Sequence, residues 1–289
     1  MSISTAARFK FPNRRYSPSE IAMTASRNRF LLLAILVSLP ATGCSSAESE
    51  PPLRVYCAAV MRKPIEILAE QYKAETGTQI ELQFGGSNTL LSQLTIGGSG
   101  DLYLAADQSY IDRAQANDLT DQVIPIAQIT PVVIAAKCKG LKIDSVEALT
   151  RGDLRIALAD PDAAAIGRIT KSALQKCGKW DQIAGQVQSI GVIKPTVGDV
   201  AGAVSLGSAD VGIVWDTVGM QREDLQVFRL AELDDWNSTI SVAVLKSSGH
   251  PARSLDFAEY LAHSPAALRQ YSQLHFQTLA EADVETAHE

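Results

Sequence analysis

The spacing of apolar residues changes period several times along the chain, and each change marks an element. Leu53-Arg54-Val55-Tyr56-Cys57-Ala58-Ala59-Val60 reads as a strand running into small residues. Met61-Arg62-Lys63 follows. A helix then opens near Pro64, with Ile65, Leu68, Ala69 and Tyr72 on its apolar face and Gly77 at its end. Ile80 to Phe84 alternate apolar and polar, the period of a half-buried strand. Gly85-Gly86 breaks that strand, and from Leu90 the apolar positions fall at 90, 91 and 94, a helix face.

Asp101 to Ala105 is a third short strand, after which Asp107 caps a helix with Ile111 and Ala114 facing inward. Pro131 to Ala136 is a buried strand at a domain crossing. Beyond it come a short helix at 146–149 and a strand over 154–159. Asp160-Pro161 turns the chain into a helix through Ile166, Ala173 and Leu174. Val187 to Ile193 is strand-like, and Asp199 caps a helix along Ala201 to Leu206. Val211 to Asp216 is a buried strand, Ile240 to Leu245 another, and helices at 255–261 and 266–274 close the pattern. Repeated strand-to-helix units predict an α/β fold with parallel sheets, whose ligands sit beyond the carboxyl ends of the strands. The expected division is lobe one over 53–128 plus 246–289 and lobe two over 129–245.

Composition narrows the function. The 289 residues carry 46% apolar content and a net charge of −6, enough for two cores and unsuited to nucleic acid. Residues 1–43 form a targeting region: Arg27 and Arg29 precede the apolar run Phe30 to Leu39, too short to span a bilayer as a mature helix. Met23 is an alternative start. Residues 44–52 read as a tether rich in Ser, Glu and Pro. Export places Cys57, Cys138 and Cys177 in an oxidising compartment. Cys57 lies in an apolar strand and is expected to be free, which leaves Cys138 and Cys177 as the expected disulfide.

The chemistry centres on Gly85-Gly86-Ser87-Asn88-Thr89. Backbone N–H groups at a helix start lack intrahelical partners, and the helix dipole favours negative charge there. The stretch therefore has the chemistry of an anion cradle. The plain alternative is that Ser87 or Asn88 caps its own helix. A nucleophile elbow would need G-x-S-x-G, and Asn88-Thr89 follow the serine instead.

Phe84-Gly-Gly-Ser-Asn-Thr-Leu, Gly100-Asp101-Leu102-Tyr103-Leu104-Ala105-Ala106-Asp107, Asp160-Pro161, Asp199-Val200 and Gly212-Ile213-Val214-Trp215 occur in that order. In this set the chain resembles the periplasmic molybdate-binding proteins of ABC importers, within the type II solute-binding class, from about residue 53 to about 275. The resemblance implies a two-lobed periplasmic-binding-protein type II fold with a ligand cleft between the lobes. It implies capture of a tetrahedral oxyanion, molybdate or tungstate, and delivery to ABC permease subunits, without catalysis, cofactor or bound metal. Carried over, Ser87 matches a hydroxyl donor, while Ile166 and Val200 match backbone donors. Trp215 stands where the family has a tyrosine, and Val60 where it usually has a serine. Ala41-Thr42-Gly43-Cys44 resembles a lipobox. That implies acylation of Cys44 and a monomer in the periplasm or on the outer face of the cell membrane, touching the membrane through its lipid alone.

Two rivals belong to other classes. Tyr56, Tyr103, Asp101 and Asp216 would suit a ferric-iron binder on the same scaffold. A serine hydrolase built on Ser87 would need a histidine from His250, His263, His275 or His288, none of which falls in a metal-binding spacing.

Overall fold

The computed structural model describes residues 50–279. The targeting region, Cys44, most of the tether and His288 lie outside them. The chain opens with β1 (Leu53–Ala58), a 3-10 turn (Ala59–Met61) and α1 (Arg62–Thr76), ended by Gly77 at φ 78°. Next come β2 (Ile80–Gly85), α2 (Ser87–Thr95), β3 (Leu102–Ala105), α3 (Gln108–Ala116) and β4 (Thr120–Ile129). After one residue, Thr130, β5 (Pro131–Ala136) begins, followed by β6 (Ile156–Ala159), α4 (Ala165–Lys176), α5 (Trp180–Ile190) and β7 (Val192–Lys194). The chain continues through α6 (Val197–Ser205), β8 (Val211–Trp215), α7 (Asp216–Met220), β9 (Leu225–Phe228) and α8 (Ala231–Asp234). It closes with β10 (Ser238–Leu245), α9 (Pro251–His263), α10 (Pro265–Gln273) and β11 (Gln277–Thr278).

Two mixed sheets result, ordered β11-β4-β10-β3-β1-β2 and β7-β6-β8-β5-β9. In the first, β1 pairs in parallel with β2 and β3, so the 3-10 turn before α1, the start of α2 and residue Ala106 all emerge at one sheet edge. In the second, β6 lies parallel to β7 and β8, which brings the starts of α4, α6 and α7 to one edge as well. Each sheet buries its apolar strands under helices. On the first, α9 covers β4 and β10, and Tyr72 of α1 packs against Phe257 and Tyr260 with ring centroids 4.8 and 4.9 Å apart. Two connections join the sheets, at Thr130 and at residues 235–237. Thr130 Oγ1 donates to Asn237 Oδ1 at 2.9 Å, tying the two crossings together. No helix among the described residues is long and apolar enough to cross a membrane.

Several expectations need correction. β10 was expected in lobe two, yet it is antiparallel to both β3 and β4 in the first sheet, so the return crossing precedes Ser238. The outward crossing follows Ile129, because β4 runs to that residue in the first sheet. Most of the strand expected at 187–193 is α5: Ile183, Gln186 and Val187 form its buried face, and only Val192–Lys194 is strand. α6 starts two residues before Asp199, because Thr196 is its N-cap and accepts from the Asp199 N–H at 3.3 Å. Cys138 and Cys177 form no disulfide; with Cys57 they are free thiols. Cys138 stands exposed in a 3-10 turn after β5, whereas Cys177 ends α4 and turns its thiol back to the carbonyl of Ala173 at 3.2 Å. Cys57 is buried as expected, and burial pushes its thiol well above the ordinary range.

Candidate functional site

The carboxyl edges of the two sheets face each other across a cleft, and a small cavity lies between them. Its walls are Ala58, Ala59 and Val60 after β1, Gly85, Gly86 and Ser87 after β2, and Ala106 after β3. From the second sheet come Ala164, Ala165 and Ile166 after β6, Thr196 and Val197 after β7, and Trp215 at the end of β8. Every wall residue is uncharged. About 230 Å³ of space lies between these walls when the open mouth is counted, but the enclosed part is only about 10 Å³. The cavity suits an ion or a molecule of a few heavy atoms.

Helix starts supply the polarity. Val60 belongs to the 3-10 turn leading into α1, and Ser87 is the first residue of α2. Ile166 is the second residue of α4, where Arg168 is the first N–H to bond back, to the Ala164 carbonyl at 3.2 Å. The earlier amides of that turn have no intrahelical acceptor. Val197 and Gly198 hold the same position in α6. Four helix starts meet at one cavity and bring partial positive charge without a cationic side chain; in α2 the Asn88 and Thr89 amides are taken by the Ala163 carbonyl, which leaves Ser87 to face the cavity.

Ser87 is 2% exposed. It makes no cap bond to its own helix; its Oγ accepts from the Ala106 N–H at 3.1 Å. Tyr103 holds it from behind, donating through its hydroxyl to the Ser87 carbonyl at 2.8 Å. Trp215, 1% exposed, brings to the opposite wall an indole that can donate one hydrogen bond and accept none.

Of the residues singled out in the sequence, Ser87, Val60, Ile166 and Trp215 line the cavity. Val200 does not. Its N–H donates to the Thr196 carbonyl at 3.2 Å inside α6, and Thr196 and Val197 take its place at the wall. The offset follows from the cap: Thr196-x-x-Asp199 is a capping-box spacing, with Thr196 Oγ1 donating to Asp199 Oδ2 at 2.6 Å. Sequence reasoning also passed over Ala106, Ala164 and Ala165, which contribute backbone rather than side-chain chemistry.

The tyrosines and carboxylates of the iron reading, and the described histidines of the hydrolase reading, lie elsewhere. Tyr103 is spent on Ser87, and Tyr56 donates to the Ser99 carbonyl at 3.4 Å. Asp101 accepts from the Arg54 N–H, and Asp216 accepts from the N–H groups of Thr130 and Thr217. Burial raises the Asp216 carboxyl while those bonds and Arg229 oppose it. None of these four lines the cavity, nor do His250, His263 or His275. Among the described residues, no group of three or more His, Cys, Asp or Glu is placed to hold a metal ion.

Two lobes closing backbone amides over a small uncharged cavity define a solute-binding protein. The chain belongs to the bacterial extracellular solute-binding protein family, whose model matches residues 53–273. It is similar to the molybdate-binding protein ModA of Escherichia coli K12, with 28% identity over 75% of this chain and 86% of that one. Against ModA of Mycobacterium tuberculosis the figures are 29%, 78% and 88%. Among solved structures, the periplasmic molybdate-binding protein of Azotobacter vinelandii aligns with TM-score 0.68 at 20% identity, covering 78% of this chain and 98% of that one. Iron-bound HitA of Pseudomonas aeruginosa aligns at TM-score 0.60 and 18% identity, over 77% and 85%. Likeness at that level establishes the two-lobed fold alone and leaves the ligand to the chemistry of the cleft.

Proposed function

We propose that this chain captures a tetrahedral oxyanion, molybdate or tungstate, between its lobes and delivers it to the permease of an ABC importer. The observation that carries the reading is the convergence of four helix starts on a cavity with no charged wall residue. An anion there is held by N–H groups, the Ser87 hydroxyl and the Trp215 indole. Donor-rich walls favour an oxyanion that carries no proton at neutral pH, since a protonated one needs an acceptor for each O–H. Phosphate is disfavoured on that ground. Sulfate is unprotonated but smaller, and a cavity shaped for the larger ions leaves its donors stretched. The similarity to two molybdate-binding proteins supports the same choice. A ferric-iron site is less well supported, because the tyrosines and carboxylates it would need are engaged away from the cavity.

The same reading places the mature protein in the periplasm or on the outer face of the cell membrane, as a monomer lipid-anchored through Cys44. Mass spectrometry of the mature N-terminus should find an acylated Cys44; an unmodified start further downstream would remove the anchor. Calorimetry with sodium molybdate, tungstate, sulfate and phosphate tests the ligand. A ligand at a hundred times its dissociation constant stabilises the fold by about 2.7 kcal/mol, so the melting temperature should rise with the first two salts and much less with the others. Absence of heat and of any thermal shift with molybdate and tungstate would reject the reading.

A further inference from the structure

The lobes are bonded to each other at one corner of the cleft, by protein groups alone. The N–H groups of Asn88 and Thr89, in the first turn of α2, both donate to the Ala163 carbonyl of the second lobe, at 3.0 and 3.3 Å. The Asn88 side chain donates across the same gap to the Asp162 carbonyl at 2.5 Å. Beside them Arg168 reaches back from α4: its Nη2 donates to Asp107 Oδ1, and its guanidinium lies over the Tyr110 ring, 5.7 Å from the centroid.

The receiving side of this contact is prepared in advance. Asp107 accepts from the Ser109 N–H at 3.1 Å and from Ser238 Oγ at 2.8 Å, both within the first lobe. It is 7% exposed with Arg168 in place, and the bonds from Ser109 and Ser238 hold its carboxylate independently of Arg168. Gly86 makes the approach possible. A Cβ there would stand 2.3 Å from the Ala163 carbonyl oxygen, a distance no side chain tolerates.

We propose that Arg168 and the Asn88-Thr89 turn form a clasp that holds the cleft closed, and that Arg168 is a positioning residue which slows anion release without touching the anion. Two of the amides that open α2 are committed to the opposite lobe, so closure is stabilised by contacts that no ligand supplies. The clasp is also incomplete, since Arg168 Nε is buried without a hydrogen-bond partner. A contact that leaves a buried donor unsatisfied is weakly favourable, which suits an element that must release. The ligand-free protein is then a mixture of closed and open forms, and a bound anion shifts it toward the closed one.

The proposal stands whichever anion the cleft takes, because its first test uses none. Amide hydrogen exchange of Asn88 and Thr89 reports the clasp directly. In the open form both lose their acceptor, and first-turn amides without one exchange quickly. In ligand-free wild-type protein these amides should be protected. Arg168→Met keeps an unbranched apolar stem and removes the guanidinium with its charge and donors. It should speed their exchange about three- to tenfold while leaving core amides and the melting temperature nearly unchanged. Arg168→Lys should recover part of the protection through Asp107. Gly86→Ala should abolish the protection, because the added methyl meets the carbonyl. Sodium molybdate then reads the consequence: stopped-flow dissociation should quicken by the same factor in Arg168→Met, with association little changed. Equal exchange at Asn88 and Thr89 in wild type, Arg168→Met and Gly86→Ala overturns the clasp. Protection that falls as described in a protein indifferent to molybdate instead overturns the ligand assignment and leaves the clasp intact.

Discussion

Ser87 Oγ accepts a hydrogen bond from the Ala106 N–H at 3.1 Å, and that bond decides what the hydroxyl is free to do. With a lone pair occupied by a neighbouring strand end, the proton of Ser87 remains to be donated, and the residue lies at the cavity wall. Ser87→Ala removes that donor and also strands the Ala106 amide. Losing a hydrogen bond to a charged ligand costs about 1.5–3 kcal/mol, and an unsatisfied buried amide costs about 1–3 kcal/mol of folding stability. Molybdate affinity should therefore fall roughly 10–100-fold while the ligand-free protein melts several degrees lower. Calorimetry and a thermal melt of the same variant separate the two effects. Loss of stability with unchanged affinity would confine Ser87 to bracing the β3 end.

Trp215 forms the opposite wall. Trp215→Phe preserves most of the apolar surface and removes the single N–H. If the indole donates to the anion, affinity for molybdate should fall about tenfold or more. Trp215→Tyr, which restores a donor on a shorter ring, should recover part of that loss. Equal affinities for wild type and Trp215→Phe would make the residue a filler of space.

The three described thiols differ in accessibility, and their reactivity should follow. Cys138 is exposed, Cys177 half-buried with its S–H turned to the Ala173 carbonyl, and Cys57 buried with its thiol held protonated by desolvation. The thiolate is the reactive form. A thiol-reactive dye should label Cys138 first, Cys177 more slowly, and Cys57 only once the protein unfolds. Reducing agent should leave the melting temperature where it was; a drop would restore the Cys138–Cys177 bond.

Much of the fold was legible because its signals are local. Each switch from strand period to helix period, at Gly85-Gly86 or at Asp160-Pro161, is written in a few consecutive residues. Pairing is not local: nothing within Ser238–Leu245 tells that it lies between β3 and β4 rather than in the second sheet. β4 was overlooked because Pro125 interrupts its pattern, and the structure accommodates that proline beside a register shift opposite Ile240 and Ser241. In the site, residues with distinctive chemistry such as Gly86, Ser87 and Trp215 could be found, whereas Ala106, Ala164 and Ala165 act through backbone and leave no mark in residue type. Val200 was misplaced by one helical turn. The Thr196-x-x-Asp199 spacing was visible in the sequence and would have moved the helix start to its true position.

Asp210 makes the stability of the second lobe depend on acid. Its carboxylate accepts from the Arg155 N–H and Nη2, each at 2.8 Å, from Arg155 Nε at 3.1 Å, and from Lys139. The bonds from Arg155 hold the carboxyl far below its ordinary value of 3.8, burial opposes them, and Lys139 adds to the lowering. The folded protein thus binds this proton less readily than the unfolded chain does. Such a group contributes stability that is fully present above the unfolded value and is lost as pH falls through it toward the folded one. Arg155 is substantially exposed and Asp210 only slightly, with side chains 41% and 14% accessible, so screening trims the contribution to about 1–2 kcal/mol. At neutral pH Asp210→Asn should melt lower than wild type by a few degrees. Below pH 4 the gap should narrow, because the wild-type carboxylate there pays for remaining ionised against the unfolded chain. Melting curves of both proteins from pH 7 to pH 3 measure it. A gap that stays constant across that range would mean that Asp210 contributes shape and not charge.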